Sequence, residues 1–446
     1  MPALSHLPPL LATAFAELAH WLDKRSAVRV PLLLFGILFA KGRRTVTAWF
    51  RAAAISDDFR QAYVTVCSVG RHADDVAFSA LRAVRPLLDE KRLLLAIDDT
   101  PTPRYGPHVE GCGIHHNPSP GPAGERYVYG HVWVTLSALA KHEGWGAIAL
   151  PLQAQLYVRK ADLPKLPPER PRDFRTKLEM AVAQLDWAES WVGHRFEQLW
   201  VVVDGGYAKK PFLSGAKALG FTVVSRLRKD AALWSLPEPP RPGRKRGRGR
   251  PPIYGKKRIS LAKRAGQRRG WQSVECEQYG EKATKTVKTF LATWKPAGGV
   301  IRVVLVKEED GEWLPFFSPN PEASAVEILE AMADRGSHEQ MNKDVKEVWG
   351  AGQQQVRNVF SSEACFNLNL WMCSLVEAWA WGKQDEELVD RSASPWDAEP
   401  RRPSHADKRK ALQKEVLRSE IEAALAGQPS DGQIRTLVQR LLEMAV

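Results

Sequence analysis

The sequence predicts an α/β protein: a mixed sheet flanked by helices, interrupted by a β-rich insertion, with a helical N-terminal domain and a helical C-terminal tail. Three observations predict it. Short apolar runs at Leu93–Ile97 and Gln198–Val203 read as strands buried on both faces, and both run into aspartate. Between them lie two aromatic and β-branched stretches, Tyr127–Leu139 and Trp145–Val158, and one stretch of helical spacing, Asp173–Trp191. From about Phe221 strand-like pieces surround a Pro/Gly/Arg-rich segment, and helical sequence resumes at Pro321.

Taken in order, residues 1–88 read as helical, with apolar recurrence through Leu10–Trp21 and Val30–Ala40. Lys41-Gly42-Arg43-Arg44 breaks the pattern, and Thr45 suits the cap of a helix at Val46–Ala54. A helix-turn-helix and a plain helical bundle both fit this region. Pro101 predicts an end to the first strand near Thr100, because it has no N–H for a ladder. Asp173 is the expected cap of the following helix. Strand signals return at Val274–Cys276, Val287–Trp294 and Val300–Val306. Pro321 opens helical sequence that runs, with an interruption expected near Gly336, to Trp349, where Gly350 and Gly352 stop it. Ser361–Trp381 is an apolar helix, and a polar linker leads to two short amphipathic helices.

At 446 residues the chain is long enough for two or more domains. Its net charge of +13 is local: Arg226 to Arg269 carries sixteen Lys/Arg against Asp230 and Glu238, a segment charge of +14, which leaves −1 for everything else. A concentrated basic segment points to a polyanion, nucleic acid above all. Five cysteines without a CxxC pair read as reduced thiols, and the cytoplasm is the expected compartment. The most apolar run, Val30–Ala40, is too short to span a bilayer, and no signal peptide is indicated.

The chemistry-bearing pattern is a pair of strands that end in carboxylate, Asp98-Asp99 and Asp204, in the order β-β-β-α-β of the RNase H-like fold. A third acid on a later helix would complete an oxygen-ligand site for two hard divalent cations. Glu339 suits that part, because on a continuous helix Arg335, Glu339 and Lys346 share one face. An ordinary i,i+4 charge pair explains the same spacing.

These residues resemble the DDE transposases of cut-and-paste bacterial insertion sequences, in the branch whose RNase H-like core carries a β-rich insertion. The matching stretches are Ala96-Ile97-Asp98-Asp99-Thr100, Val201-Val202-Val203-Asp204, and the signature Tyr-x2-Arg-x3-Glu-x6-Lys, fitted by Arg335, Glu339 and Lys346, with Met332 where the family has Tyr. The resemblance implies Asp99, Asp204 and Glu339 as a triad for two Mg²⁺ ions, with Mn²⁺ as substitute. Asp99 is preferred to Asp98 because it directly precedes Thr100. It implies DNA contacts by Arg335 and Lys346, double-stranded DNA ends as partner, a homodimer on paired ends, and a bacterial, nucleoid-associated location. The implied division is 1–88 for a helical DNA-binding domain, 89–220 and 322–382 for the core, 221–321 for the insertion, and 383–446 for linker and tail.

In some relatives an insertion-domain Trp stacks on a flipped base, and Trp271 and Trp294 are the candidates here, with core packing as the alternative. Arg244, Lys245, Arg246, Arg248 and Arg250 form the densest basic stretch; Arg248-Gly249-Arg250-Pro251 matches the core of an AT-hook, which enters an A·T-rich minor groove, and a basic loop resting on DNA phosphates fits the same residues. His108, Cys112, His115 and His116 share one loop, but their spacing is irregular for zinc. In the tail, Ile434, Leu437, Val438, Leu441 and Leu442 make an apolar stripe for a partner chain or the protein's own core. A transposase-derived DNA-binding protein without activity and another RNase H-like nuclease are the alternatives.

Overall fold

The computed structural model describes residues 6–55, 59–116, 124–238, 251–309, 311–389, 396, 401–427 and scattered positions from 430 to 441. Six helices come first: α1 (Pro9–Ala19), α2 (Lys24–Ala27), α3 (Val30–Phe39), α4 (Val46–Ala52), α5 (Phe59–Arg71) and α6 (Ala73–Val84). Four strands follow: β1 (Arg92–Pro103), β2 (Gly113–His116), β3 (Tyr127–His142) and β4 (Gly146–Tyr157). Then come α7 (Lys177–Val192), β5 (Gln198–Val203), α8 (Lys210–Ala218) and β6 (Phe221–Arg226). The inserted region holds β7 (Leu233–Trp234), β8 (Arg258–Ile259), α9 (Leu261–Gly266), β9 (Gln272–Gln278), β10 (Glu281–Trp294), β11 (Gly299–Lys307) and β12 (Trp313–Ser318). Helices α10 (Ala325–Glu347), α11 (Val359–Ala380), α12 (Asp385–Leu388) and α13 (His405–Ala426) complete the order.

The core sheet has the RNase H-like arrangement. β3 lies antiparallel between β4 and β1, and β1, β5 and β6 run parallel. β6, which a boundary at 220/221 assigns to the insertion, therefore forms the parallel edge of the core. β12 pairs antiparallel with β6, so the inserted strands extend the same sheet in the order β12-β11-β10-β7-β8, with β9 also on β10.

β1 runs past the expected stop to Pro103. The Arg104 N–H donates to Tyr129 O, which makes 104/129 a hydrogen-bonded pair. Such pairs alternate along an antiparallel ladder. Pro101 and Pro103 therefore fall at positions whose missing N–H faces away from β3. The pairing of β1 with β5 ends at Ile97, so that side is open there.

Helix starts are set by caps rather than by the residues the sequence suggests most readily. α7 begins in a capping box of Thr176 and Glu179, three residues after Asp173, and α10 begins in one of Ser324 and Glu327, after Pro321. α10 is unbroken through Gly336. Thr45 caps α4 as expected, with its side chain accepting from Ala48 N.

Two apolar clusters lie on opposite faces of the sheet. One joins β1 residues Leu93, Leu95 and Ile97 to α7 and α8. The other joins Ala96 of β1 and Val202 of β5 to α10, α11 and the N-terminal helices. α11 is buried almost throughout, yet it carries polar residues. Asn367 exchanges hydrogen bonds with both Ala154 N and O, the Trp371 indole donates to Leu152 O, and the Ser374 hydroxyl donates to Pro151 O. These groups satisfy the open backbone edge of β4.

α13 locks the assembly from outside. The Arg409 guanidinium donates to the carbonyls of Ile37, Leu38 and Ala40 at the end of α3 and of Val348 at the end of α10. Beside it the Glu377 carboxylate, on α11, accepts from Lys408 Nζ at 2.6 Å and meets His405 Nδ1 at 2.6 Å, all three buried. Burial alone would raise the Glu377 carboxyl, but Lys408 and His405 hold it down to about 2 from 4.5. A carboxyl depressed in the folded state contributes stability that is full above its unfolded value and lost as pH falls through its folded value. Glu377→Gln should therefore cost about 3–5 kcal/mol near neutrality, by leaving Lys408 buried without its partner. The difference from the parent should shrink as pH falls from about 4.5 towards 2. Denaturant midpoints measured across pH check both statements.

Candidate functional site

Neighbouring residues on a strand point to opposite faces, so only one of Asp98 and Asp99 can face α10. Asp98 shares the parity of Ala96, on the α10–α11 side, and Asp99 that of Leu95 and Ile97, on the α7–α8 side. On β5, Asp204 shares the parity of Val202, again the α10–α11 side. The parallel register pairs Ala96 with Val202 and Ile97 with Val203. One further step sets Asp98 beside Asp204.

The third acid comes from α10. Arg335 donates from Nη2 to Asp98 Oδ2 at 2.7 Å and from Nη1 to Glu339 Oε1 at 2.5 Å, so one guanidinium bridges strand and helix. Burial drives the Asp98 carboxyl up to about 6; the Arg335 charge opposes this and the charges of Asp99 and Asp204 add to it. Burial pulls Arg335 down, but the charges of Asp98, Glu339 and Asp204 outweigh it and its pKa is raised. Glu339 and Asp204 are exposed. Further along the same faces, Lys346 Nζ donates to Thr100 Oγ1 at 3.1 Å.

Asp99, the expected first acid, is not the carboxylate that Arg335 joins to Glu339; Asp98 holds that place. Its carboxylate lies through the sheet, where it accepts from Lys177 Nζ at 2.5 Å and from the Tyr207 hydroxyl at 3.4 Å. The adjacent Thr100 gave no information about which face the helix carrying the third acid would cover.

Sequence reasoning also missed the support beneath the site. Thr135, opposite Asp98 on β3, donates its hydroxyl to Asp98 O at 3.0 Å and lies 3.0 Å from His338 Nε2 on α10. His338 is fully buried, and burial together with the Arg335 charge lowers its pKa to about 3. The ring is therefore neutral. If Nε2 carries the proton it donates to Thr135, whose own proton goes to Asp98 O. A histidine directly before the signature glutamate was the only sequence signal.

Other expected residues fall elsewhere. Trp294 is buried edge-on to Phe317, which is core packing. Trp271 donates to Gln267 O, and Lys288 Nζ lies 4.7 Å above its ring. Arg244, Lys245, Arg246, Arg248 and Arg250 lie outside the described residues, as does Leu442. Of the loop considered for zinc, Cys112 is pushed up to about 12 by burial and His115 down to about 4, His108 is exposed, and His116 meets Tyr127 edge-on. All five cysteines are free thiols. Among the described residues no helix is long and apolar enough to cross a membrane.

The family described as DDE superfamily endonuclease matches residues 17–294. The chain belongs to this family. The matched span contains Asp98, Asp99 and Asp204 and stops before α10, so the family assignment is independent of Glu339. No curated protein matches the chain. Among solved structures it is similar to a piggyBac transposase, in a structure titled as a synaptic complex with hairpin DNA. The TM-score is 0.38 and the identity 10%, over 96% of this chain and 73% of that chain. So remote a likeness assigns no residue.

A DDE endonuclease works with divalent metal ions, and the donors here suit one in kind. Asp98, Asp204 and Glu339 offer only carboxylate oxygen, as hard cations require. Their crowding is met by a cationic group, the Arg335 guanidinium, bound to two of them. Among the described residues no three acids, histidines or cysteines are yet close enough together to hold a metal. Arg335 occupies the space between two of the donors.

The buried relay under Asp98 gives a measurable expectation. Thr135→Val leaves His338 Nε2 without its partner, and His338→Leu leaves the Thr135 hydroxyl with one partner fewer. Each should cost about 1–3 kcal/mol in unfolding free energy. The double variant should cost less than the sum, because both ends of the hydrogen bond are gone. Denaturation of the four proteins closes the cycle; strict additivity would remove the hydrogen bond from the account.

Proposed function

We propose that the protein is a metal-dependent transposase that cleaves DNA strands at the ends of an insertion sequence and joins them to target DNA. The observation that carries this reading is the placement of Asp98 and Asp204 one residue beyond the last paired positions of parallel β1 and β5, Ile97 and Val203, with Asp98 tied through Arg335 to Glu339 on α10. Membership of an endonuclease family supports the cleavage chemistry.

In this reading Asp98, Asp204 and Glu339 hold Mg²⁺, or Mn²⁺ in its place. A bound pair of such ions activates the attacking oxygen and stabilises the leaving oxygen of a phosphodiester. The remaining work falls to the chain's own groups. The parallel register fixes Asp98 against Asp204. The Thr135–His338 pair, resting on the Asp98 carbonyl, fixes the height of α10 over β1. Arg335 holds Asp98 and Glu339 in one place and offers a guanidinium to backbone phosphate. Lys346, anchored at Thr100, presents an ammonium next along the strand.

The partner in this reading is double-stranded DNA at the element ends, gripped also by the basic stretch around Arg244 to Arg250. A homodimer brings two ends together, with the tail stripe as one contact. The functional division follows the sequence boundaries, except that the core includes β6 and so extends to Arg226.

Asp98→Ala, Asp204→Ala and Glu339→Ala should each reduce nicking of a plasmid that carries the element ends by at least about a hundredfold, while end binding stays within a fewfold. Asp99→Asn should retain most of the activity, because its carboxylate faces α7. Nicking and gel-shift assays on the same four proteins check this. Loss of cutting in Asp99→Asn alongside normal cutting in Asp98→Ala would return the first-acid role to Asp99.

A further inference from the structure

A cleft of about 900 Å³ opens beside the carboxylate group, between the turn after α3, the loop after β1 and the segment joining α10 to α11. Its lining contains Arg43, Arg104, Lys346 and Arg357 and no aspartate or glutamate. Arg104 is buried and engaged with the carbonyls of Gly352 and Gln354. Arg43 and Arg357 are exposed, and neither has an ion-pair partner among the described residues. At the mouth stands Tyr105, 81% exposed, with no ring or hydrogen-bond partner among the described residues.

The cleft continues the candidate active site. Asp98, Thr100 and Thr102 share one face of β1 by strand parity. Asp98 belongs to the carboxylates, Thr100 holds Lys346, and Thr102 lines the cleft. A strand of DNA whose phosphate sits at the carboxylates and that passes Lys346 enters this cleft, which Arg357, Arg43 and Tyr105 line. Cations along one wall and a bare aromatic at the edge are the chemistry of single-stranded nucleic acid: phosphates on the cations and a base on the ring. A duplex keeps its base faces stacked and has none to offer Tyr105.

We propose that this cleft seats an unpaired DNA strand leading away from the cut phosphate, held by Arg43, Lys346 and Arg357 and stacked on Tyr105. The proposal rests on the strand-cleavage reading for its direction, since the carboxylates set where the strand begins.

The test uses the full-length protein without metal, and two probes of equal duplex length: one blunt, one with a four-nucleotide single-stranded extension containing 2-aminopurine. The parent should bind the extended probe about tenfold more tightly and alter the 2-aminopurine fluorescence by stacking. Tyr105→Ala should remove the preference and the fluorescence change, and Tyr105→Trp should keep both. Arg43→Ala/Arg357→Ala should lower the salt slope on the extended probe by about 1.4. Equal binding of both probes by the parent, or an undiminished preference in Tyr105→Ala, overturns the proposal. Cleavage is read separately: if the parent nicks plasmid yet shows no preference, the cleft proposal alone fails. If Asp204→Ala still nicks while the preference holds, the reading of the carboxylates fails and the cleft stands.

Discussion

Everything at the candidate site follows from one electrostatic constraint: the Asp98 carboxylate is buried, and the charges of Asp99 and Asp204 add to that cost. In a sheet with fixed parallel register the strands cannot move apart to relieve this, since Ala96–Val202 and Ile97–Val203 are locked by the ladder just behind them. The relief comes from α10. Arg335 reaches down to Asp98 and along its own helix to Glu339. The same guanidinium that meets Asp98 also ties Glu339 to it across the sheet–helix junction. Asp98 remains the least comfortable member, with its carboxyl raised to about 6 chiefly by burial.

That solution works only if α10 is held at a fixed height and angle over β1, and the fold supplies the hold from three sides. Below, the neutral His338 meets Thr135. At the amino end, Glu327 closes the capping box with Ser324 and also pairs with Arg92 of β1. At the carboxyl end, Arg409 of α13 takes the Val348 carbonyl. None of these groups touches the carboxylates. They are the frame within which the contact between Arg335 and Asp98 keeps its length.

Much of this was legible in the sequence, and the limits have physical causes. Buried strands that end in acid, the one intervening helix, and the Arg335–Glu339–Lys346 face were readable because strand runs and helical periodicity are local properties. The choice between Asp98 and Asp99 was not. It depends on which face of β1 the last long helix covers, a fact carried by chain topology and by no residue near 98. Pro101 misled for a related reason, since its cost vanishes on the side of β1 that β5 leaves open. Asp173 and Pro321 marked the helix starts only to within three or four residues, because the capping boxes at Thr176 and Ser324 compete better for the first-turn N–H groups. For Trp294 the sequence already offered core packing beside base stacking, and β10 buries it against Phe317.

The clamp of α13 also bears on how the protein is made. Its cations, Lys408 and Arg409, lie 61 and 62 residues after the end of α10 at Glu347 and still further beyond α3, whose carbonyls Arg409 binds. A chain emerging from the ribosome completes both aspartate strands and the glutamate helix long before those cations appear. Until then Glu377 has no counter-charge and the ends of α3 and α10 have no donor. A product of premature termination before His405 thus contains every acid of the candidate site but lacks the fastening that orients the last of them. Such a product would leave the carbonyls at the ends of α3 and α10 without the Arg409 guanidinium that binds them in the full chain.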